Sequence, residues 1–413
     1  MYVIYLLRFF FTLVAACYFS FAAAQNITFD ILNGEDKIEV PFSFTHNFII
    51  VEVRLFGMMP MNFIFDTGAE NTILFTRQFA DFLDVKYDLR IPIIGSDMSR
   101  KLYALVARSI EFELVGLPTQ KKDILVLEEN PFNLSEITGI QIHGILGGSF
   151  FKNSVIEIDF RKQKLIFHNP VTFKAPGKAY SRLNVEILGN KPYLKAKSTL
   201  MNGTEADLKL LVDTGAGLPL LLHNNSHPSL VLPEHYILGK LGFGLGGYIE
   251  GYVGRTRKLS IEGITFDNVL TSFQDISEAV TMGTIWPRNG LIGNQLLLRF
   301  DVIIDYVKEL MYLKPRLRYN RKFKMDKSGL ILVAIGPNLN NFMVQGTIAN
   351  SPAANAGLVR GDRLVRINGL PARGYSLDQI HRVFQKRTGK QIKLVIYRNG
   401  ETIKLRFDLK DLI

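Results

Sequence analysis

The amino-acid sequence predicts a mainly β protein in which one unit occurs twice and a small α+β unit follows. Short apolar runs separated by glycines and turn residues extend through most of the 413 residues, a pattern typical of β-strands. Two long segments share the same landmarks in the same order. Beyond them, residues 328–413 combine strand-like runs with one helical pattern and an Asn399-Gly400 hairpin turn.

Three sequence landmarks define the repeat. Corresponding residues lie 147 positions apart at the first landmark and 146 apart at the other two. This period is far longer than that of a solenoid and indicates a duplicated domain. We predict a first repeat over residues 31–170 and a second repeat over residues 183–313. The matched segments are Phe63–Ala69 with Leu210–Ala216, Gly144–Phe150 with Gly290–Leu296, and Ile158–Phe160 with Ile304–Tyr306.

Both repeats have the same predicted elements. A hydrophobic strand leads into Asp-Thr-Gly, a second apolar strand follows at Thr72–Phe75 or Leu218–Leu222, and a buried segment passes through a glycine-rich motif into a short helix. Each repeat then closes on a hairpin with charged residues at its turn. We interpret Asp159 and Asp305, which precede these turns, as structural turn residues.

The two Asp-Thr-Gly turns carry the candidate chemistry. Two carboxylates about 3 Å apart cannot both ionise, so such a pair shares one proton. The ionised member can then act as general base on a water molecule, while the protonated member polarises a scissile carbonyl. Peptide hydrolysis of this kind needs neither a metal nor a covalent nucleophile. Asp66 and Asp213 are therefore the candidate catalytic residues.

The neighbours of each aspartate suit this task. Gly68 and Gly215 have no Cβ, so their backbone N–H groups can approach the carboxylates. Thr67 and Thr214 offer hydroxyl groups that could lock the two turns together. We predict these four residues as the supporting part of the site.

The duplicated D-T-G-A with its downstream I-L-G-G and L-I-G-N motifs resembles the aspartic proteases of the retroviral and pepsin-like group. Nearly all of the mature chain resembles bacterial aspartyl proteases that end in a PDZ domain. The resemblance implies a bilobal pair of acid-protease β-barrels with both catalytic aspartates on one chain, so that a monomer suffices for catalysis. It also implies a peptide or protein substrate and no cofactor. Pro219 departs from the family pattern, because the first repeat has Thr72 at the equivalent position.

Aspartic proteases close a β-hairpin, the flap, over their substrate to exclude water. In the second repeat, the predicted flap is the glycine-rich run Gly242–Gly251, and in the first it is the segment Ile94–Tyr103, which has fewer glycines. The flap residues that we predict to reach the site are Gly244, Gly246, Gly247 and Tyr248.

The C-terminal unit, residues 328–413, resembles the PDZ domains of bacterial secreted proteases. The resemblance is carried by Ser351–Leu358, Arg360–Asp362 and Ile367–Gly369. PDZ domains bind an extended C-terminal peptide as an added strand. By resemblance, backbone N–H groups of Ser328, Gly329 and Leu330 would face the peptide carboxylate. The helix side chains of Leu377, Ile380 and Phe384 would line the groove, or alternatively belong to the domain core.

The N-terminus is predicted to be a cleaved signal peptide over residues 1–24. Arg8 precedes an apolar run that ends at Ala22–Ala24, an A-x-A type cleavage site. We therefore expect export to a periplasmic or extracellular location. A second interpretation is a lipoprotein anchored through Cys17, the single cysteine of the chain, and a third is a membrane helix.

The net charge of +11 is uneven along the chain. The predicted basic linker, residues 314–327, carries +6 and residues 328–413 carry +8, whereas residues 1–313 carry −3. We interpret the basic charge as a solvated linker and surface; the alternative is attraction to an anionic membrane surface or an acidic partner. Nucleic acid is not an expected partner, because no aromatic stacking pattern accompanies the charge.

Other hydrolase classes lack their motifs here. The seven histidines form no H-E-x-x-H, and no G-x-S-x-G occurs, so neither a metal site nor a serine nucleophile is predicted. The alternative to a protease is a catalytically silent peptide-binding or scaffold protein that uses the same cleft and PDZ groove. The two intact Asp-Thr-Gly motifs favour the enzyme.

Overall fold

The computed structural model describes residue 32 and residues 34–94, 101–129, 134–244, 247–276 and 288–413. Strands dominate this part of the chain, in agreement with the predicted mainly β class. Across these described ranges, no helix combines the length and apolar character that a membrane crossing needs. The signal-peptide and Cys17 predictions concern residues outside them.

The first repeat contains eleven strands and three short helices among the described residues. Its strands are β1 Lys37–Pro41, β2 Ser43–Thr45, β3 Phe48–Leu55, β4 Met61–Phe65, β5 Ile73–Leu74, β6 Tyr87–Ile94, β7 Lys101–Leu114, β8 Gln120–Leu127, β9 Gly144–Leu146, β10 Val155–Asp159 and β11 Lys164–His168. Its helices are α1 Arg77–Phe82, α2 Leu134–Thr138 and α3 Gly148–Phe151.

The second repeat follows the same plan. Its strands are β12 Ser181–Asn184, β13 Glu186–Leu188, β14 Lys191–Thr199, β15 Glu205–Val212, β16 Leu220–His223, β17 Ile237–Gly244, β18 Gly247–Ile261, β19 Ile264–Gln274, β20 Gly290–Ile292, β21 Phe300–Asp305 and β22 Leu310–Pro315. Its described helices are α4, Asn294–Leu297, and a 3₁₀ turn, Asn224–Ser226.

Each repeat builds an eight-stranded sheet, and the two sheets have matching strand orders. The first is β2-β3-β4-β9-β5-β8-β7-β6, and the second is β13-β14-β15-β20-β16-β19-β18-β17. In both, the strand that leads into Asp-Thr-Gly pairs in parallel with the glycine-rich segment: β4 with β9 and β15 with β20. The sequence repeat is therefore also a repeat of strand topology.

A third sheet joins the two repeats. Its order is β1-β11-β10-β21-β22-β12, so the closing hairpins of both repeats lie side by side, with Ile156 opposite Ile304. At the two hairpin turns, Asp159 Oδ1 accepts from the backbone N–H groups of Arg161 and Lys162, and Asp305 Oδ1 accepts from the equivalent pair. Both aspartates thus make the turn contacts typical of structural residues.

The C-terminal unit forms its own sheet and core. Its sheet order is β23-β24-β25-β27-β28, with β26 beside β25. A capping box of Ser376 and Gln379 begins α6. The elements are β23 Leu330–Ile335, β24 Asn341–Thr347, α5 Pro352–Asn355, β25 Arg363–Ile367, β26 Leu370–Pro371, a 3₁₀ turn Ala372–Gly374, α6 Leu377–Phe384, β27 Gln391–Arg398 and β28 Glu401–Asp408.

The basic segment between these units is partly packed, which differs from the solvated linker that its charge suggested. Phe323 is buried against the core shared by the two repeats, and Tyr319 packs beside it. The Arg299 guanidinium lies 3.4 Å from the centre of the Phe323 ring and donates to the backbone oxygens of Tyr319 and Arg321. Aromatic residues within the charged run explain the difference. The free energy gained by burying their rings exceeds the cost of holding the neighbouring charged residues close to the protein surface.

Candidate active site and peptide-binding groove

Asp66 and Asp213 each follow the end of a central strand. Asp66 comes directly after β4, and its backbone N–H donates to Leu146 O at 3.0 Å. Asp213 comes directly after β15 and donates to Ile292 O at 2.9 Å. Each aspartate is therefore held by the glycine-rich segment of its own repeat, on a rigid part of the sheet.

The threonine hydroxyls join the two turns through four hydrogen bonds. Thr67 Oγ1 donates to Val212 O at 2.6 Å and accepts from Thr214 N–H at 3.0 Å. Thr214 Oγ1 donates to Phe65 O at 2.8 Å and accepts from Thr67 N–H at 3.0 Å. Both threonines are fully buried, so the network is shielded from water. This reciprocal arrangement connects the turns, as their hydroxyl groups led us to expect.

The carboxylates receive backbone donors and lie against the opposite turn. Asp66 Oδ1 accepts from Gly68 N–H at 2.7 Å and Ala69 N–H at 3.1 Å, and Asp213 Oδ1 accepts from Gly215 N–H at 2.8 Å. A Cβ placed on Gly68 would lie 2.5 Å from Asp213 Cγ. Glycine is needed here because any side chain would occupy the space of the facing carboxylate. The predicted aspartates and their four supporting residues thus form one cluster.

The environment raises the pKa of both carboxyl groups. Burial and the neighbouring Asp213 charge raise the pKa of Asp66 well above its ordinary value. Burial also raises the pKa of Asp213, against the opposing effects of the Arg288 charge and hydrogen bonds to its carboxylate. Each carboxyl group lies against the glycine of the opposite turn, so the two groups are neighbours. A coupled pair of this kind retains one proton over a range where isolated aspartates have lost theirs.

The two halves of the site differ in two places. In the first repeat, Gly147 N–H donates to Thr72 Oγ1, whereas in the second the equivalent Gly293 N–H donates to the backbone oxygen of Pro219. In the second repeat, the backbone oxygen of Pro219 therefore takes the place of the Thr72 hydroxyl as the acceptor. The other difference is Asn294, which stands where the first repeat has a glycine and whose Nδ2 donates to Thr214 O and to the turn between β2 and β3.

Two basic residues near the site were absent from the sequence-based candidates. The charge of Arg288 opposes the rise in the pKa of Asp213. Burial lowers the pKa of Lys191, and the charges of both aspartates oppose this shift. Neither lies in a repeated motif, since Lys191 begins β14 and Arg288 precedes β20, so only the folded arrangement relates them to the aspartates.

Part of the predicted flap forms a hairpin. Strands β17 and β18 pair up to Gly244 opposite Gly247, with Tyr248 opposite Phe243. Gly246, at the predicted tip, lies outside the described residues. In the first repeat, β6 and β7 form the equivalent hairpin, whose tip also lies outside them.

The predicted groove residues of the C-terminal unit are buried. Leu377, Ile380 and Phe384 are at most 1% exposed and belong to the unit's hydrophobic core, as does Leu330. These side chains therefore belong to the domain core, which was the alternative interpretation. They lie beneath the groove and do not form an exposed apolar surface in this structure.

The predicted carboxylate-binding amides already have acceptors. Ser328 N–H and Gly329 N–H donate to Asp326 Oδ1 at 2.7 and 2.9 Å, and Leu330 N–H donates to Ser328 Oγ at 3.1 Å. The Asp326 carboxylate thus occupies the position that we predicted for the carboxylate of a bound peptide. Sequence reasoning missed this role, because Asp326 lies within the predicted linker, residues 314–327.

The C-terminal residues of the chain lie against the second repeat. Ile413 packs on the core shared by the two repeats, and Leu412 and Ile413 line a cavity of about 300 Å³ with Glu234, His235 and Tyr236. Asp411 forms an ion pair with Lys327 at 2.7 Å. The groove of the C-terminal unit therefore does not hold the chain's own end.

Known proteins resemble part of this chain. Residues 344–398 match a family model described as a PDZ domain. Syntenin-1 of Homo sapiens is 37% identical over 104 residues, which are 25% of this chain and 31% of that protein. Syntenin-1 of Mus musculus is 37% identical over 71 residues, which are 17% of this chain and 24% of that protein. The matches span about a third or less of these curated relatives.

The family match lies within the unit built from β23 to β28 and does not include either Asp-Thr-Gly turn. Its range begins in β24 and ends with β27. Modules of this family bind extended peptide ends at a sheet edge. The C-terminal unit of this chain is a PDZ domain, which supports a role in binding peptide or protein partners.

Proposed function

We propose that this chain is an aspartic-type endopeptidase whose catalytic residues are Asp66 and Asp213. The observation that carries the proposal is the pair of joined turns, in which each carboxyl group lies against the glycine of the opposite turn and both pKa values are raised. A structural role alone would not require two aspartates at one partly buried point, because like charges there destabilise the fold.

In the proposed mechanism, the pair holds one proton between its two carboxyl groups. The ionised carboxylate takes a proton from a water molecule, which attacks the carbonyl carbon of the scissile bond. The protonated carboxyl group donates a hydrogen bond to the carbonyl oxygen and stabilises the charge that develops there. Protons then pass to the leaving nitrogen, and the pair returns to its shared state. Backbone donors at Gly68 and Gly215 keep the carboxylates oriented throughout.

The wider proposal assigns the two repeats to the two lobes of a bilobal acid-protease fold. The matched strand orders and the sheet that joins the repeats support this assignment. Since both aspartates belong to one chain, a monomer would carry the complete pair. We further propose that the protein is exported to a periplasmic or extracellular site, on the basis of the apolar N-terminal run and Ala22–Ala24.

The test is cleavage of a peptide library by the purified protein from acid to neutral pH. Asp66→Asn and Asp213→Asn should each abolish cleavage, because the amide can neither share the proton nor act as a base. Asp159→Asn is the matched control, since this aspartate is also repeated but accepts from its hairpin turn and from Arg316, away from the catalytic pair. Full activity in either dyad variant would refute the assignment. An inert wild-type protein would favour the catalytically silent peptide-binding alternative.

A further inference from the structure

The PDZ groove lies between strand β23 and helix α6. Within the described part of the chain, β23 is at the end of its sheet and pairs only with β24. Extended peptides add to PDZ domains along such an edge strand, beside the neighbouring helix. This unpaired side of β23 is the surface to which a C-terminal peptide would add as a further strand.

The first repeat covers one end of this groove. Its helix α2 packs beside β23. The turn after α2 puts Gly139 between the strand and the helix: a Cβ placed there would lie 3.1 Å from Leu377 Cβ and 3.8 Å from Ala334 Cβ. Backbone of the first repeat therefore lies between the two walls that a bound peptide would contact.

A second element of the first repeat covers the middle of α6. The His46 ring, in the turn between β2 and β3, meets the His381 ring edge to face with centroids 5.3 Å apart. Asp378 and Arg382, on the same helix, also influence the charge state of His46. Burial and the His381 charge lower the pKa of His46 to about 4, so the ring is neutral near pH 7. A neutral His46 ring therefore packs closely against α6.

The carboxylate end of the groove is closed from within. Asp326 accepts from the backbone N–H groups of Ser328 and Gly329, and its Oδ2 lies 3.9 Å from His381 Nδ1. An incoming carboxylate would have to displace Asp326 from these donors. All three parts of the groove are thus occupied by residues of the same chain.

We propose that the PDZ groove is an intramolecular docking surface for the first repeat, and that an extended C-terminal peptide binds there only when this contact opens. The peptide and the corner formed by α2 and Gly139 compete for the same strip between β23 and α6. The apparent affinity for a peptide is then reduced by the fraction of molecules that are open. This proposal requires no peptide cleavage, so it stands or falls separately from the proposed activity.

Gly139→Asn is the variant that should open the contact. Gly139 has φ +69°, a backbone conformation that asparagine tolerates better than other residues with a Cβ. The new side chain would meet Leu377 and press the first repeat away from α6. Gly57→Asn is the matched control, because Gly57 lies in the same repeat with φ +66° and has nothing within 4 Å of its Cβ direction.

Hydrogen exchange measures the opening without any ligand. All variants carry Asp66→Asn, so that cleavage does not consume the probes used below. We expect the amides of Ile331–Ile335 that point away from β24 to exchange at least about tenfold faster in Gly139→Asn than in Gly57→Asn, because releasing the first repeat exposes this edge of β23 to solvent. Equal exchange in the two variants would overturn the proposal.

Binding of hexapeptides with randomised sequences and free C-terminal carboxylates measures the competition. We expect the Gly139→Asn chain to bind the best of them at least about tenfold more tightly than the parent and Gly57→Asn chains do, in proportion to the larger open fraction. The same peptides with amidated ends should bind to none of the three. Equal affinities in all three chains, or failure of the Gly139→Asn chain to bind any peptide, would overturn the proposal.

Discussion

Replacing Thr67 with valine tests the network that joins the two Asp-Thr-Gly turns. Thr67 is fully buried, and its hydroxyl donates to Val212 O and accepts from Thr214 N–H. Valine has nearly the same shape but leaves both backbone groups without a partner. Each orphaned buried group costs about 1–3 kcal/mol, so we expect the free energy of unfolding to fall by about 2–6 kcal/mol. Thr214→Val should cost a similar amount by symmetry.

The assay combines urea unfolding, followed by circular dichroism, with the rate of peptide cleavage per folded molecule. Thr271→Val is the control, because Thr271 is equally buried and its hydroxyl contacts Val269 O and Thr256 Oγ1 outside both Asp-Thr-Gly turns. We expect this control to lose stability while retaining the cleavage rate of the folded wild type. A Thr67→Val protein within about 0.5 kcal/mol of wild type, a range typical of surface substitutions, would refute the reasoning.

Two further predictions concern the carboxylates and a buried histidine. Gly68→Ala should reduce cleavage about a hundredfold, because the new Cβ would lie 2.5 Å from Asp213 Cγ and would displace that carboxylate. Gly177→Ala is the control and should leave cleavage unchanged, because a Cβ there has nothing within 4 Å. The measurement is kcat/KM on one peptide for both variants. His223 is buried, and desolvation lowers its pKa from 6.5 to about 3. Because the folded state then binds fewer protons than the unfolded state, this residue removes stability as the pH falls from 6.5 to 3. Relative to wild type, His223→Leu should therefore gain stability by up to about 1.4 kcal/mol per pH unit across that window in urea unfolding, and a constant difference would contradict this.

The sequence predicted that the two Asp-Thr-Gly turns form one site because the proposed chemistry depends on short motifs. The constant offset between Asp66 and Asp213 indicated one symmetric unit, and the small side chains beside them indicated close approach. One pair of equivalent residues could not be recognised from the sequence, because the first repeat has a histidine where the second has an asparagine. His143 Nδ1 accepts from Asn62 N–H, and Asn289 Oδ1 accepts from Lys209 N–H at the matching place.

The contacts between units could not be predicted from the sequence. Asp326 lies close in sequence to Ser328, yet its role depends on how the chain turns into β23. The approach of Gly139 to Leu377 joins residues that are far apart in the chain, and no local pattern records it. Propensity and periodicity describe single elements, whereas such contacts follow from the packing of complete domains.

The most direct test of the central claim is the pH dependence of kcat/KM for peptide cleavage in wild type and Asp213→Asn. We predict a bell-shaped profile for wild type. The two apparent pKa values of this profile are those of the coupled pair. Because the pKa of Asp66 is raised, activity should fall on the alkaline side only above the ordinary range for aspartate. Asp213→Asn should show no cleavage at any pH. Cleavage that persists in Asp213→Asn with an unchanged profile would contradict the account.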